Sequence, residues 1–305
     1  MLSEVLKTEA DSLTVTFLHE QKEVADDTYK LLVSDSNNKS LAVVIVSSLT
    51  DEQQVEAAMR KSADVKQILG KSLGQVILEP LVYGNWQNLS WAALPYHQPY
   101  GENKVAKIVQ RFTLRPNILV WLKGVSKQTI SVPNANSIED GFRKPLMHFY
   151  QLPNIDKNIL ASVQQSLNRL ENGYWQPRHV LMHGDLWKGN ILHAQQSKDR
   201  KKDDFKFVVI DWAGSLKNGY PMFDLIRLAQ SVGLHGHKLN NEIDSHCKIF
   251  NCEPIDAISY LLAALGWISM NLGFFPYERF CEMANSCYMT MSDCINDSTL
   301  DFKDL

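Results

Sequence analysis

The chain has 305 residues, of which 45% are hydrophobic and 21% charged, and a net charge of −3. That is enough for one large domain or two lobes, with the balance of an ordinary globular protein. A slight acidic excess provides no general attraction to nucleic acid or to an anionic membrane, so neither is expected as a partner.

Residues 1–11 are acidic and lack an apolar core, so they do not read as a signal peptide. Three β-rich runs follow, at 12–20, 28–36 and 40–48, the last two joined by the turn signal Asp35-Ser36-Asn37-Asn38. Residues 51–69 read as a helix: Thr50 or Asp51 can cap it, and Val55, Ala58, Met59, Val65, Ile68 and Leu69 give an apolar stripe. Two further strands are expected at 75–83 and 89–94, around a turn at 84–87. Two prolines and a glycine in Pro95-Tyr96-His97-Gln98-Pro99-Tyr100-Gly101 stop the sheet. They suggest a division into a lobe at 1–95, a hinge at 96–101 and a second lobe at 102–305.

Residues 102–180 read as mostly helical, with a polar break at 131–137. A hairpin with arms at 191–194 and 205–210 comes next, and its tip at 197–204, charged in both signs, reads as a solvated loop. From Asp224 to about 292 the pattern is helical again, and the last dozen residues are polar. Residues 258–275 are largely apolar but include Ser259, Ser269, Asn271 and two glycines, without basic flanks. They read as a buried helix and not as a membrane span. The five cysteines (Cys247, Cys252, Cys281, Cys287 and Cys294) are odd in number and form no tight Cys-x-x-Cys pair, which suits reduced thiols in a cytoplasmic protein.

The chemistry is concentrated in His183-Gly184-Asp185-Leu186-Trp187-Lys188-Gly189-Asn190, followed by Val208-Val209-Ile210-Asp211-Trp212. Phosphoryl transfer from a nucleotide needs a carboxylate to orient the attacking hydroxyl and oxygen ligands to hold magnesium on the phosphates. Asp185 offers the first, Asn190 an amide oxygen, and Asp211 a carboxylate at the end of an apolar strand. His183 reads as a structural residue that holds the loop by hydrogen bonds to backbone. Trp187 is expected to pack over the loop or shape the acceptor pocket. Lys188, three residues after Asp185, is near enough in sequence to reach a transferring phosphate.

This segment resembles the catalytic core of the aminoglycoside phosphotransferase and choline kinase group, the small-molecule branch of the protein-kinase-like fold. Its Leu-Trp-x-Gly-Asn form is similar to that of fructosamine kinases. The close match covers residues 180 to about 230. The resemblance implies an α+β, bilobal, protein-kinase-like fold, with an N-terminal nucleotide-binding lobe built on a five-stranded antiparallel sheet and a mainly helical C-terminal lobe. It implies ATP-dependent phosphorylation of a hydroxyl on a small molecule (a sugar, an amino alcohol or an aminoglycoside-like compound), with ATP and Mg2+ as cofactors. Asp185 would be the catalytic base, Asn190 and Asp211 the metal ligands. The backbone of 94–97 (Leu94, Tyr96, His97), with Leu192, would contact the base. Asp224 matches a family aspartate that holds the catalytic loop's backbone.

The sequence departs from that pattern in the small lobe. The third strand, Leu41-Ala42-Val43-Val44-Ile45-Val46, carries no phosphate-gripping lysine, and Ser62 stands where the helix glutamate is expected. Residues 18–27 contain no glycine. Lys30 on the second strand is the first candidate substitute, with Lys39 and Lys188 the others. The alternative reading is a nucleotide-binding pseudokinase with a regulatory role. A protein kinase is disfavoured, since neither Asp-Phe-Gly nor Ala-Pro-Glu is present.

Overall fold

The computed structural model describes residues 2–19, 28–194, 205–273 and 275–300. The glycine-free stretch at 20–27 and the charged tip at 197–204 lie outside the described residues. Contacts group the chain into two compact units, residues 1–110 with 189–213, and residues 111–188 with 214–305.

In the first unit, α1 (Leu2–Leu6) and a 3-10 turn at Ala10–Ser12 precede β1 (Thr14–His19), β2 (Tyr29–Ser34) and β3 (Ser40–Val46). Helix α2 (Gln54–Leu73) leads on to β4 (Val82–Trp86) and β5 (Leu89–Pro95). The five strands form an antiparallel sheet, as the resemblance implied, in the order β1-β2-β3-β5-β4. The fourth strand differs from its expected place at 75–83. Residues Gly74–Val76 form a 3-10 turn and Ile77 makes a parallel bridge to Val209, so the strand begins only at Val82. The hairpin then turns at Gln87 and Asn88, with φ of 47° and 71°, and not at 84–87. Positive φ at both central residues is what a two-residue hairpin turn needs to match strand twist.

Register decides which side chains share a face. Lys30 lies opposite Ile45, Val43 opposite Leu94, and Ile45 opposite Ala92. Directly paired residues point the same way, so Lys30, Val43, Ile45, Ala92 and Leu94 lie on one side of the sheet. Leu31, Val33, Ala42, Val44 and Ala93 take the other. Leu31, Leu32 and Val33 put apolar side chains on both faces of β2, which is why the sequence alternates poorly there.

The hairpin of β7 (Ile191–His193) and β8 (Phe207–Val209) belongs to this unit because segments on either side of the sheet hold it. Leu192 bridges Pro99, Val209 bridges Ile77, and the His193 amide donates to Gln98 O at 2.9 Å. Helix α3 (Lys104–Phe112) follows.

The second unit is mainly helical: α4 (Leu114–Thr129), α5 (Ala135–Ile138), a π turn at Glu139–Arg143, α6 (Lys144–Tyr150) and α7 (Lys157–Glu171) come before the loop. After it come α8 (Phe223–Val232), α9 (His237–Phe250), α10 (Pro254–Met270) and α11 (Tyr277–Leu300). The apolar stretch of the sequence becomes α10, whose residues 257–265 are all buried, as expected of a helix apolar on every side. At Gly266 it approaches α6 so closely that a Cβ would fall 2.1 Å from Pro145 O. No helix among the described residues is long and apolar enough to cross a membrane. A two-stranded ladder, β6 (Val180–Met182) with β9 (Leu216–Gly219), leads into the His183 loop. Strand β9 was not anticipated: it is four residues long, with Lys217 and Asn218 exposed, and carries no periodic signal.

Candidate functional site

In the helical unit, the loop after β6 is fastened by backbone hydrogen bonds to side chains. The amides of His183 and Gly184 donate to the two carboxylate oxygens of Asp224, at 2.6 and 3.0 Å. Asp224 is only 6% exposed, and burial raises its carboxyl pKa, opposed by nearby His183 and by those two amides. The His183 ring is buried and its Nδ1 accepts from the Asp185 amide at 3.2 Å, which bears out its structural reading. Gly184 has φ of 86°, and a Cβ there would lie 2.6 Å from Gly214 O. Both the left-handed backbone and this close approach demand glycine.

The Asp185 carboxylate is half exposed, and Arg227 Nη2 lies 3.5 Å from its Oδ1. Further along, the Lys188 amide donates to Ser231 Oγ at 2.9 Å. Asp224, Arg227 and Ser231 are spaced i, i+3 and i+7 on α8, so one helical face grips residues 183–188 at three points. Sequence reasoning found Asp224 and missed Arg227 and Ser231, although the spacing from Asp224 was available as a signal. Of the two expectations for Trp187, packing over the loop does not hold, since it is 44% exposed while Leu186 is buried; an outward indole is compatible with lining an acceptor pocket. Consecutive side chains of the loop point in different directions, so burying Leu186 leaves Trp187 outward.

In the first unit, a cavity of about 260 Å³ is lined by Lys30, Ile45 and Leu94 of the sheet, by α2, and by Asn190 and Asp211. Asn190 is 8% exposed, and its backbone carbonyl accepts from the Ile210 amide at 3.0 Å. Asp211 takes a left-handed conformation, φ 64°, uncommon for a residue with a side chain and of a kind that clusters at functional sites. Just after it the chain is anchored: Trp212 is buried with Nε1 donating to Val209 O at 3.1 Å, and the Lys61 ammonium of α2 donates to Ala213 O. Lys61 was not singled out from the sequence; a helix lysine reads simply as a solvated one.

Lys30 therefore lines the same cavity as Asp211. Lys39 does not; its amide bonds Asp35 in the β2–β3 turn. The α2 residues lining the cavity are Gln54, Val55, Ala58, Met59 and Ser62, so α2 contributes no carboxylate to it. Leu94 lines the cavity, whereas Tyr96, His97 and Leu192 are not among its lining residues. The Tyr96 amide already donates to Leu41 O at 3.0 Å, His97 Nδ1 lies 2.9 Å from His193 O, and Leu192 is bridged to Pro99. The first unit thus brings together Lys30, Leu94, Asn190 and Asp211, while Asp185 and Lys188 belong to the second.

A carboxylate and an amide oxygen are hard ligands that fit Mg2+, which is commonly held by one or two protein oxygens, with phosphates and water completing the shell. No group of three or more His, Cys, Asp or Glu side chains suited to a metal occurs among the described residues, so an all-protein metal cage is not what this donor set resembles.

No protein-family model matches the chain, and none of the curated proteins matches it. Solved structures do. The GDP and kanamycin complex of APH(2")-IIia matches with a TM-score of 0.53 at 13% identity, over 92% of this chain and 93% of that one. The choline kinase LicA from Streptococcus pneumoniae matches with a TM-score of 0.50 at 13% identity, over 93% of each chain. At such identities the likeness establishes architecture: this chain has the α+β, kinase-like fold of those proteins, a five-stranded antiparallel sheet followed by a helical part.

Proposed function

We propose that this protein transfers a phosphoryl group from a magnesium-bound nucleotide, ATP, to a hydroxyl of a small molecule. The observation that carries the reading is the cavity shared by one cation, Lys30, and two oxygen ligands, Asn190 and Asp211. It is supported by the Asp185 carboxylate, half exposed on a loop whose backbone α8 fastens. Four residues of chain join Asp185 to Asn190. The architecture agrees, since similar folds occur in a choline kinase and in a protein bound to GDP and kanamycin.

In this mechanism Asp185 accepts the proton of the acceptor hydroxyl as its oxygen bonds to the γ-phosphorus and the bond to the β,γ-bridging oxygen breaks. Asn190 and Asp211 would hold Mg2+, which would supply positive charge to neutralise the phosphates. Lys30 provides the phosphate-facing cation in place of a third-strand lysine, reaching the cavity from the neighbouring strand. Leu94 provides an apolar wall for the base. Arg227 lies beside Asp185 Oδ1, where its positive charge favours the ionised carboxylate.

A pseudokinase is the second reading, favoured by Ser62 in the glutamate's place and by the absence of a lysine from β3. Incubation with ATP, Mg2+ and a panel of sugars, amino alcohols and aminoglycosides separates the two. The kinase reading predicts acceptor-dependent formation of ADP. Thermal stabilisation by Mg-ATP with no ADP formed for any acceptor would favour the pseudokinase.

A further inference from the structure

Helix α9 ends in a left-handed turn that places two thiols together. Asn251, with φ of 51°, is its αL residue, and the amides of both Asn251 and Cys252 donate to Cys247 O, the latter at 3.1 Å. The bond from the second residue past the helix back to its last turn is the six-to-one closure of a Schellman cap, which brings the side chains at its two ends into contact. Here those side chains are Cys247 and Cys252. The neighbouring Cys247 thiol first, then burial, raises the pKa of Cys252, with Asp256 adding to the rise and Arg178 opposing it. Cys247 Sγ also approaches Glu253 O at 3.8 Å. Both are free thiols, Cys247 buried and Cys252 partly exposed.

The pair lines a cavity of about 620 Å³ in the helical unit, bordered also by Tyr174, Lys248, Glu253 and Asp256. Residues linked by a disulfide need Cα atoms within about 4.4–6.8 Å, which brings the two ends of a tight helix cap into consideration and excludes distant cysteines. The other three thiols have other surroundings: Cys287 faces Gln230, Cys294 faces Gly236 O, and Cys281 neighbours Tyr277. None of these contacts involves a second sulfur.

We propose that Cys247 and Cys252 form a redox-active dithiol that a low-molecular-weight disulfide, entering through this cavity, converts to an intramolecular disulfide. The site is distinct from the phosphotransfer residues and does not depend on that reading. With glutathione disulfide as oxidant, the Cys252 thiolate attacks one sulfur of the oxidant and expels a glutathione thiolate, leaving a mixed disulfide on Cys252. The Cys247 thiolate then attacks the Cys252 sulfur and expels the second glutathione thiolate. Two protein thiols are oxidised, one glutathione disulfide is reduced, and the two protons end on two glutathione molecules. The raised pKa of Cys252 keeps the first step slow near neutrality. Proximity of Cys247 makes the second step fast, so the mixed disulfide does not accumulate.

The full-length protein is incubated with excess glutathione disulfide, free thiols are alkylated, and the intact mass and a tryptic digest are measured. Trypsin cuts after Lys248, between the two cysteines, so a disulfide joins two otherwise separate peptides. The proposal expects that linked peptide, two fewer alkylated thiols, and a mass lower by two hydrogens before alkylation. Cys252→Ser should abolish the link and Cys281→Ser should leave it intact. Phenylarsine oxide, which releases one water on bridging two neighbouring thiols, should bind the reduced wild type and protect both cysteines from alkylation. Alkylation of both Cys247 and Cys252 in the oxidised wild type, or glutathione retained on Cys252, would overturn the proposal, and neither result depends on how a variant folds.

Discussion

Asp224 shows how one buried side chain sets the position of another. Its two oxygens take the amides of His183 and Gly184, and nothing else on α8 offers two acceptors at that point. Asp224→Asn leaves one acceptor and turns a donor toward an amide, so one buried N–H loses its partner at a cost of about 1–3 kcal/mol. The expected result is a lower Tm together with reduced turnover, measured by thermal melts and ADP release. An unchanged Tm would mean that the amides find other partners. Lys30→Met tests the substitute cation: under the proposed role turnover should fall by about 10²–10³, the usual effect of losing one preorganised electrostatic contact. Turnover equal to wild type would return Lys30 to the status of an ordinary strand lysine. Asp211→Asn replaces a charged ligand of a hard cation with a neutral one, so the extra thermal stabilisation that Mg2+ gives to bound ATP should shrink. Equal magnesium dependence in variant and wild type would contradict the metal role.

At the scale of elements, legibility followed the range of the interactions. The His183–Asn190 loop stood out because its polar residues lie close together in the sequence, and Asp211 because it follows an apolar strand. The side of β2 on which Lys30 lies was not, because Leu31, Leu32 and Val33 are apolar on both faces and only pairing with β3 decides the question. The start of β4 was misplaced because residues 76–78 are apolar for another reason: Val76 and Ile77 are buried, and Ile77 bridges Val209 in the hairpin of β7 and β8. Strand β9 was too short to signal itself, and Ser231 is an ordinary helix serine until Lys188 is seen to need it. Helix α10 was legible as buried, but its closeness to α6 was not. Gly266→Ala would put a Cβ against Pro145 O, and the resulting shift should cost about 1–3 kcal/mol, read as a lower denaturation midpoint. Wild-type stability would mean that α6 can move aside freely.

For the molecule as a whole, the proposed function divides labour between residues that would address the phosphates and the residue that would address the acceptor. Lys30, Asn190 and Asp211 line one cavity in the first unit, and Asp185 stands on a loop held by α8 in the second. The two groups should therefore separate in their effects on binding and on turnover. The direct test is Asp185→Ala, assayed with ATP, Mg2+ and an acceptor that the wild type phosphorylates, alongside thermal stabilisation by Mg-ATP. The account predicts that acceptor phosphorylation is abolished while nucleotide affinity stays near wild type, because this carboxylate takes the acceptor's proton and holds no phosphate. Wild-type turnover in the variant would contradict it.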